Sequence, residues 1–346
     1  MKMTKSTAVV SAILITLAAI SLMSACSKKA EVASGGGAQG VSGKLIVYTS
    51  MKESLISDLK AEFVKQNPGV DMDYQSAGAG SLMAKIAAER ESGRIMADII
   101  WTSEVPDFFK MKADGILIQY KPKGIDQILN PLEGAEDYFV PARLGTLGIV
   151  YNTTQVTKAP TSWRDLLGSE FKGAFSIADP ALSGTSFVSV ALLKEKFSDS
   201  FFRDIRANGA TIGKGSGQVI DDTASGELAG CLGVDYITFD KIDKGATLAI
   251  AYPPEVLLIP SPVAILKDTQ SIAAAQQFVD FMLTKEAQQI IANNGTLPTR
   301  RDVTVPSKYN LPKVDDAVAN SIKIDYISMM SEREDRIASF KAIMQK

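Results

Sequence analysis

The chain has 346 residues, 46% of them hydrophobic, with 37 basic and 39 acidic side chains and no histidine. That length and apolar content suffice for two domains with cores of their own, and the weak negative balance argues against nucleic acid as a partner. Without histidine the chain lacks the commonest general base and the imidazole ligand of most zinc sites, which excludes a Ser-His-Asp triad.

Lys2 and Lys5 precede an uncharged run over residues 6–25, rich in Ala, Val, Ile and Leu, whose small residues lead into Cys26. Charge, apolar run and small-residue exit in that order read as an export signal. Leu22-Met23-Ser24-Ala25-Cys26 resembles a bacterial lipoprotein box, in which the signal is cut before the cysteine and the cysteine carries the lipid, although Met23 stands where such boxes usually hold Leu. An uncleaved anchor is the competing reading, since about 20 apolar residues span a bilayer; the Ser and Thr within the run weigh against it. Either way the folded part is expected outside the cytoplasm, in the periplasm or at the outer cell surface. Removing residues 1–25 takes away Lys2 and Lys5, leaving 35 basic against 39 acidic residues, a net charge of −4. Lipidation of Cys26 also leaves Cys231 without a disulfide partner, so stability must come from an ordinary core.

Residues 26–43, with Gly35-Gly36-Gly37, have no apolar periodicity and read as a flexible tether. Beyond it, short β-rich runs alternate with helical patterns: strands over 45–48, 70–74 and 97–101, and helices over 52–66, 82–91 and 104–113. This alternation predicts an α/β fold with a largely parallel sheet. It restarts near Gly173 with a strand over 174–178, helices after Gly184, over 199–207 and after Gly217, and a strand over 228–234. Asn208-Gly209 and Gly226 supply helix stops. Residues 147–152 and 256–266 read as strands crossing between the two units, residues 273–292 as two short helices closing at Gly295, and residues 322–344 as a helical tail packed outside one unit.

Taken together these features resemble the extracellular solute-binding proteins of ABC importers, in the branch that includes ferric-iron, phosphonate and sugar-phosphate binders. The resemblance rests on Leu45-Ile46-Val47-Tyr48-Thr49-Ser50, Ala97-Asp98-Ile99-Ile100-Trp101, Leu147-Gly148-Ile149-Val150-Tyr151-Asn152, Pro160-Thr161-Ser162-Trp163-Arg164-Asp165-Leu166-Leu167, Asp179-Pro180 with Ser183-Gly184-Thr185, and Phe278-Val279-Asp280-Phe281 with Glu286-Ala287-Gln288. It implies a periplasmic-binding-protein-like α/β fold of two lobes with a two-strand hinge and a central cleft. The expected division is lobe one over 44–146, lobe two over 147–255, and a return to lobe one with C-terminal helices over 256–346. It also implies a monomer working with permease and ATPase subunits, without a cofactor and without enzymatic activity.

In open α/β sheets, ligands bind beyond the carboxyl ends of strands, where loops lead into helices. Five such turns are rich in hydroxyls and glycine: Thr49-Ser50, Gly78-Ala79-Gly80-Ser81, Thr102-Ser103, Ser183-Gly184-Thr185-Ser186 and Gly215-Ser216-Gly217. Unpaired amides at the positive end of a helix suit anionic oxygens, so Ser50, Gly80, Ser81, Thr102, Ser103, Ser183, Gly184, Thr185 and Ser216 are the expected ligand contacts. Plain helix capping is the alternative for any one of them, and Ser50-Met51-Lys52-Glu53 has the form of a capping box. Ser81→Asp is expected to abolish binding.

Asp235 and Tyr236 follow a strand and join the expected site. In ferric binders of the family this position carries two adjacent tyrosines, whereas here only Tyr236 matches; Asp235 with Tyr236 and a bound anion is the alternative ferric site, and a helix cap with a cleft wall is the competing role. Asp221-Asp222 reads as a solvated face and Met329-Met330 as packing. The expected ligand is a phosphonate, phosphorylated sugar or carboxylate, with ferric iron as runner-up and a hydrolase or transferase as the alternative of another class. Against the last, the chain has no Gly-x-Ser-x-Gly elbow and no phosphate-loop lysine.

Overall fold

A computed structural model describes residues 41–129 and 132–345. The expected export signal, Cys26 and most of the expected tether lie outside the described residues. The tether ends sooner than expected, because β1 (Gly43–Thr49) begins on Gly43, whose φ of 128° is open only to glycine.

β1 pairs in parallel with β2 (Val70–Ser76) and with β3 (Ile99–Trp101). Leu45, Val47, Ile99 and Trp101 enter one hydrophobic cluster while Tyr48 and Ile100 enter another. The strands are therefore apolar on both faces, as a sheet covered by helices on both sides requires. α1 (Glu53–Gln66) buries Leu55, Ile56, Leu59 and Phe63 on a single stripe, each worth about 1.5–3 kcal/mol of burial. α2 (Ala79–Glu91) and α3 (Val105–Ala113) complete this part. The capping box expected at Ser50 does not form; α1 starts after Lys52 without a side-chain cap.

After the short β4 (Leu117–Ile118), β5 (Val140–Asn152) runs for 13 residues, all buried. Its start, at Val140 and Ala142, belongs to the first core, and its end, from Leu147 to Tyr151, to a second. The second core gathers around β6 (Phe175–Ala178), α4 (Gly184–Ala207), β7 (Thr211–Gly213), α5 (Ser216–Ser225), β8 (Gly230–Val234), α6 (Asp235–Asp243) and β9 (Leu248–Ala251). The two helices expected here form as the two arms of α4, separated by a break at Ser198, whose φ of 62° is a strained value for a residue with a side chain. The expected stops do end their helices: Gly209 and Gly226 have φ near +85°.

β10 (Leu257–Leu266) returns antiparallel to β5, from Leu257 opposite Leu147 to Val263 opposite Val140. These two strands thus belong to both cores. The sheet order is β2-β1-β3-β10-β5-β8-β6-β7, with β4 joined to β10 and β9 to β5. α7 (Ile272–Met282) and α8 (Lys285–Asn293) pack into the first core, followed by α9 (Val314–Ala319). The tail departs from expectation. α10 (Tyr326–Ser331) packs against α3, whereas α11 (Arg333–Met344) packs against α4, so the tail spans both cores.

A crevice of converging helix starts

The starts of α2, α4, α5 and α6 meet around one crevice of about 220 Å³, lined by Ser50, Gly78, Ala79, Ser103, the Leu182 to Thr185 turn, Gly215 to Gly217, Val234, Tyr236 and Ile237. Turns about 100 residues apart in sequence face one another here. A methyl group built on Gly78 would lie 3.7 Å from the Leu182 carbonyl, and one on Gly80 3.7 Å from that of Ala181. Each helix start leaves amides without intrahelical partners, and the missing or small side chains let a solute reach them.

Three hydroxyls form a triangle on one wall. Ser183 Oγ lies 2.7 Å from Ser216 Oγ and 3.1 Å from Thr185 Oγ1, which is itself 3.1 Å from Ser216 Oγ. Ser183 Oγ also accepts from the Ser186 amide as the cap of α4. Because hydroxyl hydrogens rotate, this triangle can turn donors toward an anion. On the opposite wall Ser103 Oγ contacts Ser261 Oγ at 2.9 Å and accepts from Arg143 Nη2 at 3.2 Å.

Tyr236 closes the crevice floor. Its phenol donates to the Ser50 carbonyl at 3.4 Å, Lys52 Nζ donates to the Tyr236 carbonyl at 3.1 Å, and the Arg143 guanidinium stacks 4.3 Å from the Tyr236 ring centre. Burial raises the phenol pKa, so the group stays protonated at neutral pH. Burial also lowers the Lys52 pKa, against the pull of Asp240 at 3.7 Å.

The structure moves three expected contacts out of the site. Ser81 is exposed on α2 and does not line the crevice; the helix turn places it one step past the amides that do. Thr102 is fully buried behind Ser103. Asp235 is likewise fully buried, and its carboxylate accepts from the Thr146 amide at 2.9 Å, Thr146 Oγ1 at 3.1 Å, Thr296 Oγ1 at 2.8 Å and the Tyr236 amide at 2.6 Å. With Arg143 Nη1 at 3.6 Å as well, its oxygens are committed inward, so the alternative ferric pair of Asp235 and Tyr236 does not present two oxygens to one point. Gly80 sits at the rim, and Ser50, Ser103, Ser183, Gly184, Thr185, Ser216 and Tyr236 line the crevice.

The profile of the bacterial extracellular solute-binding protein family matches residues 94–329, more than half of the chain. The chain belongs to that family. This solute-binding protein is 29% identical to an uncharacterized protein of Haemophilus influenzae, over 75% of its own length and 78% of the relative's. It is 23% identical to a Salmonella typhi protein provisionally described as a 2-aminoethylphosphonate-binding periplasmic protein, over 68% and 72%. Among solved structures, periplasmic binding protein P5PA superposes with a TM-score of 0.75 at 23% identity, covering 87% of this chain and 99% of the other. AfuA of Actinobacillus pleuropneumoniae, with fructose-6-phosphate bound, gives 0.72 at 23% identity over 88% and 99%. Iron-bound HitA of Pseudomonas aeruginosa gives 0.72 at 19% over 87% and 99%. These structural likenesses establish the two-lobed binding-protein fold. The chain's family makes it an extracellular solute-binding protein.

Sequence reasoning passed over the layer beneath the crevice of this solute-binding protein. Arg143, fully buried, joins Ser103, Thr296 and Asp235 through side chains carried by separate segments. A signal was present: a charged residue inside the otherwise apolar run Val140-Pro141-Ala142-Arg143-Leu144 must find a partner if it is buried.

Proposed function

We propose that the crevice captures a small anionic solute, a phosphonate, a phosphorylated sugar or a carboxylate, and that the protein hands it to the permease and ATPase subunits of an importer. The observation that carries this reading is the convergence of α2, α4, α5 and α6 by their starts on one crevice containing the Ser183, Thr185 and Ser216 hydroxyls. Each helix start favours an anion by about 0.3–1 kcal/mol, more when partly buried, and several together supply a useful part of the roughly 8 kcal/mol of micromolar binding. A volume near 220 Å³ suits a small solute and not a polymer.

On this reading the lobes are 44–146 with the return segment from 256 onward, and 147–255, hinged on β5 and β10 and closing on the solute. Acylated Cys26 tethers a monomer to the membrane. On this reading the protein has no catalytic role: among the described residues the crevice serines hydrogen-bond to hydroxyls, an amide and Arg143, not to a carboxylate. Iron is the weaker ligand because Asp235 faces inward, which leaves Tyr236 without the second anionic oxygen of the ferric pair. A thermal-melting screen over phosphonates, sugar phosphates, dicarboxylates and ferric citrate is the direct test. Stabilisation by the phosphorus-bearing anions or carboxylates supports the proposal. Stoichiometric iron with a tyrosinate absorption band in protein purified from cells would replace it with the ferric reading.

A further inference from the structure

Glu104 stands where α3 begins, next to the crevice-lining Ser103, and none of it is exposed. It packs directly on Gly184 of the opposite wall: a methyl group built there would fall 2.5 Å from Glu104 Oε2. Oε1 pairs with Arg333, but Oε2 has no hydrogen-bond partner. Asp107, one turn on, lies 3.8 Å from the same guanidinium, and its Oδ2 is also buried without a partner. Arg333 is the first residue of α11, and its guanidinium is held 4.6 Å from the Phe187 ring centre on α4.

Two buried carboxylates thus share one guanidinium. The two cations on α3, Lys110 and Lys112, pair elsewhere, with Asp114 and Glu136. A buried site with this imbalance must hold a proton or take up a cation. Burial and the neighbouring Glu104 raise Asp107 to about 7, so Asp107 takes the proton readily. Glu104 Oε2 remains as a buried acceptor packed on Gly184, the crevice-lining residue between Ser183 and Thr185, so that a solute parting these two walls would meet it.

We infer that Glu104 is a specificity residue, and that the solute carries a cationic amino group as well as its anion. This rests on the anion-seat reading above and adds to it: the anion lies on the hydroxyl triangle and helix amides, and the ammonium donates to Glu104 Oε2. An unpaired buried acceptor penalises the analogue that lacks the donor.

Calorimetry with the purified protein, using 2-aminoethylphosphonate and ethylphosphonate, tests this. The wild type should prefer the amino-bearing probe by roughly tenfold or more, the yield of one charge-assisted hydrogen bond. Glu104→Gln should bring the ratio toward one. Asp107→Asn, which removes the competing buried carboxyl but keeps Glu104 paired with Arg333, should leave the preference in place; loss of preference in that variant would show that packing around α3 rather than the Glu104 charge sets it and would overturn the inference. Equal binding of both probes by the wild type would also overturn it while leaving the anion seat standing. Binding of neither probe would remove the anion seat and this inference with it.

Discussion

Tyr236 on α6 and Ser50 after β1 meet across the crevice, the phenol oxygen 3.4 Å from the Ser50 carbonyl. Tyr236 belongs to the second core and Ser50 follows β1, so this contact joins the two sides of the crevice. At that distance the bond is weak, and a neutral hydrogen bond contributes about 0.5–1.5 kcal/mol at best. Tyr236→Phe should therefore weaken solute binding by no more than about tenfold and leave the fold intact. Calorimetric titration checks it; a loss beyond a hundredfold would mean that the hydroxyl itself touches the solute.

The hydroxyl triangle separates real contacts from bystanders. Ser216→Asp places a carboxylate among Ser183 and Thr185, where it would repel an incoming anion, and binding should drop by at least about a hundredfold, since like charges at close range cost several kcal/mol. Ser81→Asp, on the exposed face of α2, should change affinity by less than about threefold because water screens it. The same titrations decide, and comparable losses in both variants would contradict the placement of the seat.

Beneath the crevice, Arg143 and Asp235 form a fully buried pair. Removing one partner strands the other, at a cost of about 3–5 kcal/mol. Asp235→Leu and Arg143→Met should each destabilise by that order in urea unfolding, and the double variant by less than their sum. Additive losses would show that the pair does not act as a unit.

Asp107 supplies a pH dependence. Its folded pKa, raised to about 7 by burial and by Glu104, exceeds the ordinary aspartate value of 3.8. Between these values the native state binds a proton that the unfolded chain releases, so stability falls as pH rises through that window, by up to about 1.4 kcal/mol per pH unit. The penalty is absent while the carboxyl is protonated and fully felt above about pH 7. Urea unfolding at pH 5 and pH 7.5 should show the decline in wild type and a flatter profile in Asp107→Asn.

Cys231 is buried and free, and burial pushes its thiol up to about 12. It should resist alkylation in native protein and react on unfolding. Labelling with and without denaturant reads this directly, and Cys26→Ser should release the protein from membranes if Cys26 carries the lipid.

Much of the fold was legible along the chain because its determinants are local. Apolar runs with glycine and asparagine stops marked most strands and helices, and Leu147 to Asn152 with Val256 to Leu266 marked the strands shared by both cores. Short pairings such as β7 and β9 were missed, since three or four residues held mainly by neighbouring strands carry little pattern of their own. Hydroxyl-rich turns were recognisable as helix starts, but which residue of each turn meets the solute depends on the angle at which its helix arrives.

The sequence by itself determined the alternation of elements, the absence of histidine chemistry and the set of turns able to seat an anion, because periodicity, composition and capping preference act within a few residues. Only the tertiary structure decided that Ser183, Thr185 and Ser216 touch, that Ser81 faces water, that Asp235 serves Arg143 and Thr146, and that Arg333 reaches Glu104 across 229 positions. Those outcomes follow from long-range packing and from the need of each buried charge for a partner, which no local pattern encodes.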